Sequence, residues 1–311
     1  MNNIICIAGP TASGKTALAV ELAKELNGEV ISCDSMQIYR RMDIGTAKPT
    51  IQEMQGIPHH MLDVADPAED FSVSRYCEMA SPILDDILAR GKTAIIAGGT
   101  GLYMDALIKG NHFAPCPSTG MREKLEAQAD NEGMEAMLHL LASIDPDSAA
   151  KLHLADRKRI LRALEVYYET GETITAHNLK TQQIPPKYNA TWFALEDEDR
   201  QELYARIDSR VEKMLEAGLI DEIKNLLSSG IPEKCTALQA IGYKEFVAYL
   251  NGGCTLEDAA ALVQQASRRY AKRQLTWFRR NPGIHWLRRK KGENTEQILL
   301  AAQQHLAKSD K

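Results

Sequence analysis

The feature that most constrains this chain is a glycine-bounded loop near its start. Residues 9–16 read GPTASGKT and fit the pattern G-x-x-x-x-G-K-[ST]. A short β-rich run at 3–8 precedes the loop, and apolar side chains at helical spacing follow it over 16–27. Such a loop directs main-chain N–H groups and a helix N-terminus at one anion. The loop therefore predicts a phosphate or pyrophosphate site, without indicating ATP.

Every residue of this loop is a candidate for anion binding. We expect Lys15 to hold phosphate oxygens and the Thr16 hydroxyl to be a ligand of Mg²⁺, the expected cofactor. The candidate residues are Gly9, Pro10, Thr11, Ala12, Ser13, Gly14, Lys15 and Thr16.

Strands alternate with helices over the first third of the chain. Residues 29–33 and 93–97 have the composition of buried strands, and glycines follow the second of them at 98–101. This alternation predicts an α/β fold with a parallel sheet flanked by helices. Ligands bind at the carboxyl ends of parallel strands, so the loop at 9–16, Asp34 and the glycines at 98–101 should converge.

The pattern changes near residue 114. Helical patterns dominate residues 114–188, and a strand-like run at 189–195 then returns to the sheet. From residue 199 onward the chain is predicted to be mostly helical. We predict a core made of residues 1–113 and 189–311, interrupted by an all-helical insertion at 114–188.

Asp34 follows the second strand, across from the phosphate-binding loop. It is either a Mg²⁺ ligand or general base beside the phosphate site, or an N-cap or turn residue. The strand before Gly98 ends in no acidic residue, so a second metal-binding aspartate is missing there. That gap weakens the interpretation as a simple NTPase.

The charge is distributed very unevenly. The 311 residues contain 37 Lys and Arg against 42 Asp and Glu, a net charge of −5. The 24 residues 268–291 (the basic segment) carry ten of the cations and no acid, which leaves −15 for the rest. Aromatic residues are interleaved with these charges, either stacking on bases or packing in the core: Tyr270, Trp277, Phe278 and Trp286. We predict an RNA- or DNA-binding region here.

A second basic cluster lies in the predicted insertion. Arg157, Lys158, Arg159 and Arg162 share a predicted helix with Ile160. Alone, such a cluster is typical of a solvated helix face; beside the basic segment it becomes a second candidate RNA contact.

Composition narrows the remaining classes of protein. No apolar run approaches the ~20 residues of a membrane span, and no secretory signal pattern is present, so we expect a cytoplasmic protein without a membrane partner. None of the six cysteines forms a closely spaced zinc pair, and we expect reduced thiols. Nothing demands more than a monomer.

Seven collinear stretches resemble the bacterial tRNA dimethylallyltransferases, also called adenosine-37 isopentenyltransferases. They cover about nine-tenths of the chain: GPTASGKT (9–16), DSMQIYRRMDIGTAKP (34–49), PHHMLDV (58–64), GGTGLY (98–103), RKRILRALEVY (157–167), AIGYKE (240–245) and RRYAKRQLTWFRR (268–280). The resemblance implies a P-loop NTPase-like fold whose helical insertion clasps the tRNA anticodon stem-loop. It also implies transfer of a dimethylallyl group from dimethylallyl diphosphate to N6 of adenine 37, forming N6-dimethylallyladenosine and releasing pyrophosphate.

The same resemblance assigns roles to individual residues. Asp34 matches the catalytic aspartate, Thr100 helps to place the reacting groups, and Arg210 contacts the pyrophosphate, with Arg206 as the second choice for that arginine. The residues it implies in tRNA binding are Asp34, Ser35, Met36, Gln37, Thr100, Arg122, Lys158, Arg159, Ile160, Leu161, Arg162, Ala240, Ile241, Gly242, Tyr243, Lys244 and Glu245.

Two other functions remain as alternatives. A small-molecule kinase would bind ATP in the loop and use Asp34 to accept a proton from a substrate hydroxyl. A non-catalytic RNA-binding NTPase or chaperone would need the loop but not Asp34. The long insertion and the basic segment favour the prenyltransferase over a kinase for small substrates.

Overall fold

The computed structural model describes residues 3–110 and 119–309. They divide into two compact units: a larger one up to Ile108 and from Tyr188 onward, and a smaller one from Lys109 to Lys187. The domain boundary predicted at residues 113 and 114 lies outside the described residues. The boundary predicted at 188 and 189 falls between Lys187 and Tyr188.

A six-stranded sheet forms the centre of the larger unit, with strand order β3-β2-β4-β1-β5-β6. Every paired strand runs parallel to its neighbour, which confirms the predicted sheet. The strands are β1 (Ile4–Ala8), β2 (Gly28–Ser32), β3 (His59–His60), β4 (Thr93–Gly98), β5 (Thr191–Asp197) and β6 (Ile284–Arg289).

Helices cover both faces of this sheet. Side chains of a strand point alternately to its two faces, and those of β1 are buried on both. Ile5 and Ile7 pack in one buried cluster, whereas Ile4 and Cys6 pack in the other. The helices of the larger unit are α1 (Lys15–Glu25), α2 (Ile51–Met54), α3 (Val73–Ala89), α4 (Gly101–Lys109, its last residue in the smaller unit), α9 (Arg200–Glu216), α10 (Leu219–Ser228), α11 (Tyr243–Leu250), α12 (Leu256–Phe278) and α13 (Thr295–Ser309).

Strand β6 differs from the helical structure predicted for the end of the chain. The basic segment has two parts: α12 ends at Phe278, and after Pro282 the chain continues as β6 beside β5. Ile284 and Leu287 are buried, and Arg288 and Arg289 follow them at the end of this edge strand. Charged side chains are typical of an edge strand, and the charge pattern hid the strand.

The smaller unit is helical throughout its described part. It contains α5 (Met121–Ile144, kinked at Gly133), α6 (Pro146–Ala149), α7 (Arg157–Thr170) and α8 (Ile174–Gln183). Its core is formed by apolar residues of α5 and α7, among them Leu141 and Leu164. No helix of the described residues in either unit is long and apolar enough to cross a membrane.

Candidate active site

The loop at residues 9–16 joins β1 to α1 and ends at the helix N-terminus. Lys15 Nζ donates a hydrogen bond to the Pro10 carbonyl oxygen at 2.6 Å, so the lysine folds back across the loop. Burial and the nearby Arg210 lower the pKa of Lys15 to about 8, against the attraction of Asp34. The site thus has two neighbouring cations, Lys15 and Arg210, beside the carboxylate of Asp34, which cannot neutralise both. The excess positive charge is what an anion-binding site requires.

Asp34 follows β2 and lines the same cavity. Its Oδ1 accepts hydrogen bonds from the N–H groups of Met36 at 2.8 Å and Gln37 at 3.4 Å. The turn-capping role is therefore present. Burial lowers the pKa values of Lys15 and Arg210, and the charge of Asp34 opposes that lowering, so the carboxylate faces the anion site as well.

Thr100 connects the turns that follow β2 and β4. Its Oγ1 accepts a hydrogen bond from the Ser35 N–H at 3.0 Å, and its own N–H donates to the Cys33 carbonyl at 3.1 Å. The phenol of Tyr270, on α12, lies close to the Thr100 side chain, and burial, with nearby Asp34, raises the pKa of Tyr270 to about 12. A neutral phenol thus stands beside Thr100 and Asp34.

The two candidate arginines on α9 both line the cavity of this site but bond to different residues of the loop. Arg210 Nη1 donates to the Thr11 hydroxyl at 3.3 Å, and burial lowers the pKa of Arg210. Arg206, one turn earlier, donates to the Ala12 carbonyl at 3.1 Å and forms an ion pair with Asp197 at the end of β5. Arg210 is the arginine that shares a charge environment with Lys15 and Asp34.

Gln274 is a site residue that the sequence did not single out. Its Oε1 accepts from the Thr11 N–H at 2.9 Å, and its Nε2 donates to the Gly99 carbonyl at 3.0 Å. A Cβ on Gly99 would lie 2.1 Å from Nε2, so only glycine allows this approach. Its hydrogen-bond partners are far away in sequence, so local patterns do not identify Gln274 as a site residue. Only its position within the stretch RRYAKRQLTWFRR pointed to it.

Six of the residues described above line one cavity of about 860 Å³ within the larger unit: Lys15, Asp34, Arg206, Arg210, Tyr270 and Gln274. Thr100 is not among its lining residues and acts on it through Ser35. Its polar part contains Lys15, Asp34 and Arg210; farther along α9 and α12 it becomes apolar at Met214 and Val263. The cavity therefore combines an anion site with an apolar compartment. It is also lined by Ser35, Met36, Gln37, Ala240, Ile241, Gly242 and Tyr243.

The turn after β2 is held in place by Gln37. Its side chain accepts from the Ser32 hydroxyl at 3.0 Å and donates to the Ala47 carbonyl at 3.0 Å. Residues 240–245 have a comparable supporting role. The buried Tyr243 hydroxyl donates to Glu222 at 2.7 Å, and Glu245 accepts from the Gly242 N–H at 2.9 Å.

The candidate RNA residues of α7 fall into two groups. Lys158 and Arg159 are exposed, whereas the side chains of Ile160 and Leu161 are buried in the core of the smaller unit and are not available for direct RNA contact. Arg162 of α7 is paired with the largely buried Glu165 at 2.9 Å, and so is the candidate Arg122 of α5 at 3.6 Å.

Most cations of the basic segment also fall into two groups, those in ion pairs and those exposed without an ion pair among the described residues. Arg268, Arg279, Arg288 and Lys291 form ion pairs with acidic side chains, so part of the +10 is neutralised within the protein. Phe278 is core, and the Trp277 indole N–H donates to Asp105 at 2.9 Å, so these two aromatics pack rather than stack on bases. A stripe of exposed cations remains along α12 and just past its end, the α12 stripe: Arg269, Lys272, Arg273 and Arg280.

The comparison with known sequences decides the family. Residues 37–281 match the model of the IPP transferase family, and residues 2–71 match a model described as isopentenyl transferase. The chain belongs to the IPP transferase family.

Several relatives of this IPP transferase match it along nearly its whole length. The tRNA dimethylallyltransferase of Acetivibrio thermocellus is 44% identical over 308 residues, covering 99% of this chain and 98% of that protein. The tRNA dimethylallyltransferase 1 of Citrifermentans bemidjiense is 48% identical over 284 residues, 91% of each chain.

Solved structures agree with this. The full-length tRNA isopentenylpyrophosphate transferase from Bacillus halodurans has a TM-score of 0.74 at 42% identity, covering 99% of this chain and 97% of that one. A eukaryotic dimethylallyltransferase acting on tRNA has a TM-score of 0.84 at 30% identity, covering 99% of this chain and 80% of that one. The predicted P-loop NTPase-like fold is confirmed.

Proposed function

We propose that this chain transfers the dimethylallyl group of dimethylallyl diphosphate to N6 of adenine 37 in tRNA. The bond between C1 and the diphosphate oxygen breaks, a bond from N6 to C1 forms, and N6 loses a proton. Pyrophosphate and N6-dimethylallyladenosine are the products. The observation that carries the proposal is the meeting of Lys15, Arg210 and Asp34 in one cavity with an apolar compartment.

The departing diphosphate is the group whose charge the site must stabilise most in the transition state. The lone pair of adenine N6 is delocalised into the ring, so C1 must carry positive charge while the diphosphate departs. Lys15, Arg210 and the N–H groups of the loop would stabilise the negative charge that develops on the pyrophosphate. Electrostatic stabilisation of this kind contributes most when donors are fixed in advance, as the bonds from Arg210 to Thr11 and from Lys15 to Pro10 fix them.

Mg²⁺ fits the donor set at this position. Such an ion binds through one or two protein oxygens and takes its other ligands from water and phosphate. Thr16 and Asp34 both line the cavity and offer hard oxygen donors, whereas no group of three or more metal-ligating side chains occurs in the part of the chain that the structure describes. Bound Mg²⁺ would supply charge neutralisation to the departing pyrophosphate.

Asp34 would accept the proton from N6. Hydrogen bonds from Met36 and Gln37 to Oδ1 fix the carboxylate in its turn. Thr100 keeps the turns after β2 and β4 together and, with Tyr270, would position adenine and C1 against each other. General-base assistance of this type is worth ~10²–10⁴ in rate.

The RNA must present adenine 37 outside its stack, which costs a few kcal/mol that contacts elsewhere offset. We propose that these contacts come from the α12 stripe, from the turn at 34–37 and from Lys158 and Arg159 of the helical insertion. Splayed bases and phosphate contacts are the usual mode of recognising an RNA loop. We further propose that the enzyme works as a monomer in the cytoplasm.

The relatives do not favour the alternative of a small-molecule kinase. A direct test of the proposal is incubation of the protein with Mg²⁺, labelled dimethylallyl diphosphate and an anticodon stem-loop that has adenosines at positions 36, 37 and 38. We expect label in the RNA. A stem-loop with guanosine at position 37 is the matched control, and absence of transfer at every Mg²⁺ concentration would refute the proposal.

A further inference from the structure

Two arginines from distant parts of the chain bond to main-chain carbonyls of the phosphate-binding loop. Arg206 donates from Nε to the Ala12 carbonyl oxygen at 3.1 Å. Arg289, the last residue of β6, donates from Nη2 to the Ser13 carbonyl oxygen at 2.9 Å. The two acceptors belong to consecutive peptide groups.

These bonds determine where the loop's N–H groups point. In a trans peptide the carbonyl and the N–H point in opposite directions, and the peptide groups here are trans. With the Ala12 and Ser13 carbonyls directed at the arginines, the N–H groups of Ser13 and Gly14 are directed away from them. Neither N–H has a protein acceptor among the described residues, so both are available to an anion.

The loop needs such support, because its backbone is disfavoured locally. Ala12 has φ of 61°, a left-handed conformation that residues with a Cβ adopt rarely, and Gly14 has φ of 88°. Arg289 packs closely on this turn: a Cβ on Gly14 would lie 3.0 Å from its Nη2.

We propose that Arg289 is a positioning residue for the diphosphate, acting through the loop without touching the substrate. The inference rests on the proposed function. It assigns Arg289 to the anion site, although the residue lies in the basic segment that the sequence suggests for RNA. Arg206 also bonds to the loop, but it lines the cavity and pairs with Asp197, whereas Arg289 is not one of the cavity's lining residues and gives the cleaner test.

The test is calorimetric titration of the full chain with inorganic pyrophosphate in the presence of Mg²⁺. We expect Arg289→Met to bind about tenfold more weakly, since one hydrogen bond from a charged donor is lost. Arg289→Lys keeps a charged donor and should lose only about threefold. Arg288→Met is the control: this neighbour is 66% exposed and pairs with Glu196, so its pyrophosphate affinity should not change.

Steady-state kinetics provide the second measurement. The KM for dimethylallyl diphosphate should rise in Arg289→Met while the KM for the stem-loop stays the same. Unchanged pyrophosphate affinity in either Arg289 variant would overturn the proposal, and so would a raised stem-loop KM with a reduced salt dependence, which would make Arg289 an RNA contact. If Arg289→Met does not fold, Arg289→Lys decides. Because pyrophosphate binding is measured without RNA, the result stands apart from whether prenyl transfer occurs.

Discussion

Asp34 combines both roles that its place in the sequence leaves open. One oxygen caps the turn through Met36 and Gln37, and the charge acts on Lys15 and Arg210 across the cavity. A capping bond fixes a carboxylate in one orientation, which a general base requires.

Two substitutions separate these roles. Asp34→Asn keeps an oxygen acceptor for the turn but cannot take a proton, whereas Asp34→Ala removes both functions. We expect both to lower kcat by ~10²–10⁴, with RNA binding largely kept and only Asp34→Ala losing stability as well. Single-turnover transfer and a filter-binding assay measure this. Loss of RNA binding in both variants would instead make Asp34 a recognition residue.

Lys15 gives a pH dependence. Its pKa in the free enzyme is lowered to about 8, so the lysine is charged below that pH and loses its proton above it. A bound anion favours the charged form. Pyrophosphate affinity should therefore fall as the pH rises above about 8, and it should fall less in Lys15→Arg, because arginine stays charged. Titrations from pH 7 to 9.5 with both proteins check this; identical profiles would contradict it.

Gln274 has a structural role that can be measured. Gln274→Met leaves the Thr11 N–H and the Gly99 carbonyl unpaired in a buried place, so we expect a loss of about 1–3 kcal/mol in the free energy of unfolding. Gln264→Met, on the same helix but only partly buried, is the control and should change stability little. Urea unfolding measures both, and equal effects would contradict the role.

The sequence suggested most site residues but not their supports. Asp34 and Lys15 could be predicted because they belong to motifs that follow strands. Gln274 does not, because its partners lie 263 and 175 residues away in sequence. Contacts of that range depend on the packing of α12, which local patterns do not determine.

Among the elements, α12 shows that only some cations of a basic segment remain exposed and without an acidic partner among the described residues. Its buried face packs through Ala271 and Phe278 and reaches the loop with Gln274, while the α12 stripe remains exposed. The sequence predicted the helix and its charge. Which cations are neutralised could not be predicted, because their acidic partners, such as Asp208 on α9, lie on other elements.

The salt dependence of RNA binding tests the stripe. Replacing Arg269 and Lys272 with glutamine should weaken stem-loop binding and reduce the slope of log K against log salt by ~1.4, about 0.7 for each lost contact to a single strand. Arg279→Gln removes a cation that is already paired with Glu196, so its effect on the slope should be smaller. Fluorescence anisotropy over a range of salt concentrations measures the slopes. Equal slopes in all variants would mean that the stripe makes no phosphate contacts.

For the molecule as a whole, the parallel sheet and the helical insertion follow from the order of sequence patterns. The edge strand β6 could not be predicted in this way. Buried strands are recognised in a sequence by runs of apolar residues, and the charged residues Arg288 and Arg289 interrupt such a run in β6. The net charge of −5 describes neither the anion cavity nor the exposed cations.

The smaller unit provides a separate prediction. Lys158 and Arg159 are exposed on α7, and Arg159 is 75% exposed. Replacing both with glutamine should raise the KM for the stem-loop several-fold through lost phosphate contacts and leave pyrophosphate affinity unchanged. Lys151→Gln, also exposed in this unit, is the matched control. A changed pyrophosphate affinity would contradict the separation of the two sites.

The supports of the loop also have a consequence for biosynthesis. Gln274 lies 263 residues after Thr11, and Arg289 lies 276 residues after Ser13. A ribosome therefore makes the loop well before its supports. During translation the nascent chain carries GPTASGKT without the groups that shape it, and the anion site matures only when β6 leaves the exit tunnel and joins the sheet.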